Sequence, residues 1–163
     1  MPELQLLRAD HAPALLAFEC ENRDFFAASL PDRGDAYFAE FDTRHQALLD
    51  EQAAGTIAFH VLVDETTGEI LGRFNLIDIA DGTAELGYRL AEKATGQGHA
   101  TTAVRDLCTL ADTRYGLHTV HAETTLDNAA SRGVLARTGF VPTGTKDFGG
   151  LPGITYARHS EAA

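Results

Sequence analysis

Between residues 83 and 116 the hydrophobic period of the chain changes, and two glycines mark the change. Residues 83–90 alternate apolar and polar, as a half-buried strand does. Thr95-Gly96-Gln97-Gly98-His99-Ala100-Thr101 follows, and then Ala100, Ala103, Val104, Leu107, Cys108 and Ala111 fall at helical spacing. A strand that turns on glycines into an amphipathic helix aims the helix's first N–H groups at one place. Those groups have no intrahelical partner, and the helix dipole adds attraction for an anion. The segment therefore reads as a phosphate cradle. It is neither of two familiar ones. No third glycine stands at the dinucleotide spacing, and no Gly-Lys-Ser/Thr is present.

The rest of the chain frames this segment. Residues 3–8 alternate as a short strand, Asp10 reads as an N-cap, and Pro13 suits the first turn of a helix through Cys20. Leu30-Pro31 breaks the next apolar cluster, Phe25-Phe26, and a second helix is predicted from Gly34-Asp35 to Gly55. Runs 57–63, 70–79 and 83–90, joined by Asp64–Gly68 and by Asp81-Gly82, predict an antiparallel meander. After the helix come a strand at 118–125, a turn at Asp127-Asn128, a short helix to Arg137 and strands at 140–148 and 154–159. The pattern is that of one α+β domain over residues 1–163.

Thirteen basic residues stand against 24 acidic ones, a net charge of −11. This argues against nucleic acid and against an anionic membrane surface, both of which need Lys and Arg. It suits a cationic partner. No window approaches a membrane span, and Met1-Pro2-Glu3-Leu4-Gln5 lacks the basic and apolar regions of a signal peptide, so a cytoplasmic protein is expected. Cys20 and Cys108 are far apart, lack metal or redox spacing, and are expected to be buried free thiols. The seven histidines are scattered, and His118 and His121 point to opposite faces of their strand, so no metal is expected.

Four segments together resemble the GNAT superfamily of acetyl-CoA-dependent N-acetyltransferases. They are Ala84-Glu85-Leu86-Gly87-Tyr88-Arg89-Leu90-Ala91, Gly96-Gln97-Gly98-His99-Ala100, Asn128-Ala129-Ala130-Ser131 and Arg137-Thr138-Gly139-Phe140. The likeness covers nearly the whole chain and is strongest to the RimJ/RimL branch. It implies the GNAT fold: a mixed, mostly antiparallel seven-stranded sheet with about four helices. It also implies acetyl-CoA as cosubstrate, a primary amine as acceptor, and transfer by direct attack. Two positions depart from the family pattern. Thr95 replaces the usual Gln or Arg, and Leu135 stands where many members carry a tyrosine that protonates the thiolate.

The resemblance also implies roles. The backbone of Tyr88, Arg89 and Leu90 would pair with pantetheine where the fourth strand leaves the fifth. A bulge near Leu86-Gly87 would aim an N–H at the thioester oxygen. The segment from Thr95 through Gly96, Gln97, Gly98, His99 and Ala100 to Thr101 would hold the pyrophosphate, with Arg89, Arg105 or Arg132 as nearby cations. Asn128 reads as a helix cap, and in the family also touches pantetheine. Ser131, one turn on, would protonate the thiolate. Two carboxylates compete for the amine's proton: Glu85 beside the expected bulge, and Glu123, which shares a strand face with His121.

The acceptor would meet residues 19–45, where seven acids outnumber Arg23, Arg33 and Arg44. Phe25, Phe26 and Tyr37, with His121, are the candidate substrate contacts. A peptide or protein N-terminus and a small cationic amine, antibiotic-like amines included, both fit. A homodimer is common in such families. Thr95 and Leu135 leave an alternative, a catalytically weak acyl-CoA-binding module.

Overall fold

The structure is a computed structural model that describes residues 2–160. Its strands are β1 (Pro2–Leu6), β2 (Ala58–Asp64), β3 (Ile70–Ala80), β4 (Thr83–Leu90), β5 (Thr119–Thr125), β6 (Val141–Phe148) and β7 (Leu151–His159). They form a single seven-stranded sheet in the order β1-β2-β3-β4-β5-β7-β6. Every neighbouring pair is antiparallel except β4 and β5, which run parallel. The helices are α1 (Ala12–Glu21), α2 (Arg23–Ala27), α3 (Asp35–Ala39), α4 (Phe41–Ala53), α5 (His99–Thr113) and α6 (Ala129–Arg137). This is the mixed, mostly antiparallel seven-stranded sheet that the sequence resemblance implied, with six α-helices where about four were expected. Among the described residues no helix is long and apolar enough to cross a membrane.

Four helices, not two, precede the meander. Asn22 leaves helical geometry at φ −103°, ψ 9° and donates its side-chain amide to the Phe18 carbonyl at 2.9 Å, which separates α1 from α2. Glu40, at φ −105°, ψ 19°, divides the predicted 34–55 helix into α3 and α4. Nor is Asp10 a cap. It accepts from Arg8 Nε at 3.1 Å, while His11 Nδ1 takes the Arg8 N–H at 2.9 Å ahead of α1. The closing hairpin is tighter than expected. Gly149 and Gly150 turn it at φ 61° and 98°, so Leu151, Pro152 and Gly153 belong to β7. Cys20 is exposed rather than buried; Cys108 is buried.

The expected bulge at Leu86-Gly87 lies elsewhere. The β3–β4 register runs unbroken from Gly72↔Leu90 to Ile77↔Glu85 and shifts only between Ile77 and Ala80, where Asp78 takes φ 53°.

Alternation along β3 and β4 separates the two faces of the sheet. Arg73 and Arg89 pair in register and face α1. Phe74 and Tyr88 pair on the opposite face, with ring centroids 5.4 Å apart and planes 8° apart. His60 lies on that second face too and meets Tyr115, just past α5, at 3.0 Å. So α1–α4 cover one face, and α5 and α6 the other.

The first face is pinned by one buried carboxylate. Glu19, 1% exposed, accepts from Arg73 at 2.8 Å and from Arg33 Nε at 2.9 Å, while Arg89 Nη1 stands 3.8 Å away. Arg73 also donates to the Tyr37 hydroxyl at 3.1 Å, so α1, α3 and β3 meet here. Burial pushes the Glu19 carboxyl up, but the Arg73 and Arg33 charges and hydrogen bonds overcome it and hold the group below its ordinary value. Removing the carboxylate strands buried guanidinium charge. Glu19→Gln is therefore expected to lose about 3 kcal/mol of stability in denaturant titration at pH 7. Because the folded-state pKa is depressed, the difference from the parent protein is full above pH 4.5 and shrinks as pH falls below it.

Candidate active site

Three residue pairs join β4 to β5: Thr83↔Thr119, Ala84↔Val120 and Glu85↔His121. Past them β4 stays on β3 as far as Leu90, while β5 stays on β7 as far as Thr125. A wedge opens between the two strands. The Ala91 N–H donates to Leu71 O at 2.7 Å, on the β3 side. Alternation then turns the Arg89 and Gly87 backbone towards β3 and leaves Tyr88 and Leu90 facing the wedge. Of the three residues expected to meet pantetheine, Tyr88 and Leu90 offer free backbone groups, and Arg89 uses its own within the sheet. A ligand with amide groups of its own, lying along the wedge, would satisfy the free ones.

At the mouth of the wedge a short turn (Glu92–Ala94) leads to the glycine segment and α5. Gly96 and Gly98 take φ 74° and 81°, a left-handed backbone that explains both glycines. The first helical bond runs from Thr102 N to Gly98 O at 3.1 Å, so the N–H groups of His99, Ala100 and Thr101 point out of the helix end. The side chains turn away from this spot. Thr95 Oγ1 donates to Glu92 O at 2.7 Å, and Gln97 Nε2 donates to Lys93 O at 2.9 Å. The cradle is thus made of backbone, and the loss of Gln or Arg at position 95 does not dismantle it.

The cation nearest the cradle is one that sequence reasoning missed. Arg137 Nε donates to Thr101 Oγ1 at 3.2 Å, bringing its charge to the first turn of α5. Its place in the Arg137–Phe140 segment, one helix over from the glycines, was the available signal. Arg105 reaches the Arg137 carbonyl at 3.4 Å, Arg132 donates to Leu126 O at 3.0 Å, and Arg89 lies on the other face.

The α6 helix brings two more groups to the wedge. Asn128 caps it, accepting the Ser131 N–H at 3.1 Å. Ser131 lies near the Tyr88 phenol. Burial raises the phenol above its ordinary pKa, and the neighbouring Ser131 hydroxyl and the Arg137 charge only partly offset the rise. Leu135 is 1% exposed and belongs to the core. The α5/α6 side of the wedge therefore offers a hydroxyl and a protonated phenol near one another.

The two candidate carboxylates differ in their company. Glu123 binds Lys146 Nζ through both oxygens at 3.0 Å. Glu85 has no side-chain hydrogen bond or ion pair among the described residues, and it sits at the last β4–β5 pair beside exposed His121. Phe26 and Tyr37 are buried, whereas Phe25 is exposed. Burial pushes the Cys108 thiol up to about 11, so it carries no thiolate at neutral pH. Among the described residues no group of three His, Cys, Asp or Glu side chains is placed to hold a metal ion.

Comparison with known proteins matches residues 3–141 to the acetyltransferase (GNAT) domain. The N-acetyltransferase p20 of Bacillus licheniformis is 34% identical over 88 residues, 53% of this chain and 49% of that protein, so the match spans about half its length. The probable N-acetyltransferase YjcK of Bacillus subtilis (strain 168) is 29% identical over 139 residues, 82% of this chain and 77% of that protein. Among solved structures, the ribosomal-protein-S5-alanine acetyltransferase of Vibrio fischeri superposes with a TM-score of 0.93 at 22% identity, covering 99% of this chain and 94% of that one. RimL, a ribosomal L7/L12 α-N-protein acetyltransferase solved with coenzyme A, superposes at 0.87 with 23% identity, covering 99% and 96%. At these identities the structural likenesses establish the fold.

Asn128 has a structural duty that can be measured apart from any ligand. Asn128→Ala removes the α6 cap and is expected to cost about 1 kcal/mol in denaturant unfolding without ligand, whereas Asn128→Asp keeps the cap and the stability.

Proposed function

This chain belongs to the GNAT acetyltransferase family, and on that footing we propose that it transfers the acetyl group of acetyl-CoA to a primary amine by direct attack. The wedge beside the backbone cradle carries this reading. The N–H groups at the start of α5, with Arg137, hold the pyrophosphate, and the wedge-facing backbone of Tyr88 and Leu90 takes the pantetheine amides. Asn128 leaves its amide N–H groups to the same arm while its oxygen caps α6. Acetyl-CoA supplies the activated acyl carbon. The protein must position the amine, take its proton and return a proton to the sulfur.

The two faces of the sheet divide this work. Glu85, without a partner at the fork, takes the ammonium proton from the α1 side, directly or through water. Glu123 is held by Lys146 and plays a lesser part. On the α6 side Ser131 donates to the sulfur, and the Tyr88 phenol beside it supplies the next proton. That pair stands in for the tyrosine which Leu135 replaces. The solved relatives that act on ribosomal-protein N-termini make a peptide or protein N-terminus the favoured acceptor class, with small amines as the other candidate.

Steady-state release of free CoA thiol against a panel of N-terminal peptides, polyamines, amino acids and aminoglycosides tests the reading. Turnover with at least one amine is expected. Tight CoA binding with no turnover across the panel would leave an acyl-CoA-binding module instead. Glu85→Gln is expected to lower kcat about 100-fold, the lower end of what a general base contributes, and Glu123→Gln less than tenfold. Ser131→Ala should reduce kcat while leaving the Kd for CoA within twofold; unchanged kcat removes Ser131 from the mechanism. Gly98→Ala places a side chain in the left-handed region at a strain of about 1–2 kcal/mol. Calorimetric titration should show roughly tenfold weaker CoA binding.

A further inference from the structure

The α1 face of the sheet carries more positive charge than its acids neutralise. Three guanidinium groups, from Arg33, Arg73 and Arg89, converge on the one carboxylate of Glu19. Several of the neighbouring acids are already engaged. Asp32 is gripped by Arg23 through two bonds of 3.0 and 2.8 Å, and exposed Asp35 shares that same arginine at 2.9 Å. Glu40 pairs with Arg44 at 3.5 Å. The rim itself stays acidic, with Asp24 and Asp42 exposed and without a side-chain partner among the described residues, and the positive cluster lies beneath it.

Within the cluster Arg89 is the least satisfied member. Arg73 hydrogen-bonds Glu19 and Tyr37, and Arg33 hydrogen-bonds Glu19. Arg89 makes no side-chain hydrogen bond among the described residues, and only a loose 3.8 Å approach to Glu19. Its side chain is 19% exposed, so its N–H donors reach the surface. The Phe26 ring lies under the guanidinium, 5.0 Å from its centre, and fixes its plane. Burial and the Arg33 charge disfavour its charged form, so a second anion there would relieve it. Arg23, Arg33 and Arg89 border a narrow crevice with Phe26 and Phe38, and the Glu19 and Asp32 carboxylates, both held by arginines, line it too.

The cluster lies on the acceptor's side of the fork. Arg89 is two residues beyond Gly87 on the same face, about 7 Å along the strand, and Glu85 is two residues before it. Beside Gly87 in register stands Asn75, whose Oδ1 is buried and has no hydrogen-bond donor among the described residues. An orphaned acceptor and an under-used cation are thus spaced along one face.

Resting on the acetyltransferase reading, we propose that the amine acceptor carries a second, anionic group, a carboxylate or a phosphate, and that Arg89, assisted by Arg33, binds this group. An N-terminal peptide with an acidic side chain in its first two residues carries such a group, as does a phosphorylated amino-sugar. A bidentate guanidinium–oxyanion contact of this kind selects by charge and shape together.

The test measures kcat/KM for matched acceptors. One pair is a Ser-Asp peptide against its Ser-Asn counterpart. The other is glucosamine 6-phosphate against glucosamine. At least a tenfold preference is expected for the anionic member of one pair, and the pair that shows it identifies the source. In Arg89→Gln the preference collapses to within twofold, through KM, and in Arg89→Lys it survives in part. Arg89 makes no side-chain hydrogen bond, so the variant is expected to fold with an unchanged melting midpoint; if it does not, the comparison within the parent protein decides alone. Equal rates within both pairs, or a preference that survives Arg89→Gln, overturn the proposal while leaving the transferase intact. CoA binding with no acetylation of any amine overturns the transferase reading and the proposal with it.

Discussion

Two strands that stay paired for three residues and then part leave a sheet with an unfinished seam. Along β4 the backbone groups of Tyr88 and Leu90 face that seam, and on a buried strand such groups cost free energy until something pairs with them. The divergence is fixed from both sides. An unbroken register holds β4 on β3, and β7, inserted between β5 and β6, draws β5 away. The Ala91 bond to Leu71 then ends the strand, and the turn at Glu92–Ala94 delivers the chain to the glycines. So the wedge and the cradle are one device: a ligand with an amide-bearing arm and an anionic head meets unpaired backbone along its whole length.

The same seam separates the chemistry. Because side chains alternate along β4, Glu85 and Arg89 lie on one face, and Tyr88 lies on the other beside Ser131. A base and an acid on one face would exchange the proton with each other. In the proposed reaction they stand on opposite sides of the thioester and act on different atoms, one on the incoming nitrogen and the other on the departing sulfur.

Elements governed by local rules were legible in the sequence. The Asp81-Gly82 hairpin, the amphipathic stripe of α5 and the left-handed glycines at 96 and 98 follow from period and from backbone sterics. What escaped depends on neighbours distant in sequence. Glu19 falls four residues after Leu15 on the buried side of α1, and Arg73 interrupts an apolar strand. Each is an anomaly alone, and they explain each other only when residues 54 positions apart in the chain are brought together. The same holds for Lys146, which occupies Glu123 from a strand two places along the sheet. The β4 bulge was expected from Gly87, but the extra residue went to β3 at Asp78, because a bulge is settled by the pair and not by one strand.

Net charge misled for a related reason. A total of −11 argues for repulsion of a polyanion and attraction of a cation, but total charge acts only at long range. At physiological salt the screening length is about 8 Å, so a bound group responds to the few charges inside that radius. Within it, the cradle shows N–H groups and Arg137, and the α1 face shows three arginines around one acid. Four of the seven acids of residues 19–45 are held by Arg23, Arg33 and Arg44. Total charge therefore says little about either proposed site. In the proposed reaction, local positive charge at both places suits an anionic cosubstrate and an acceptor held by something other than the amine that loses its proton.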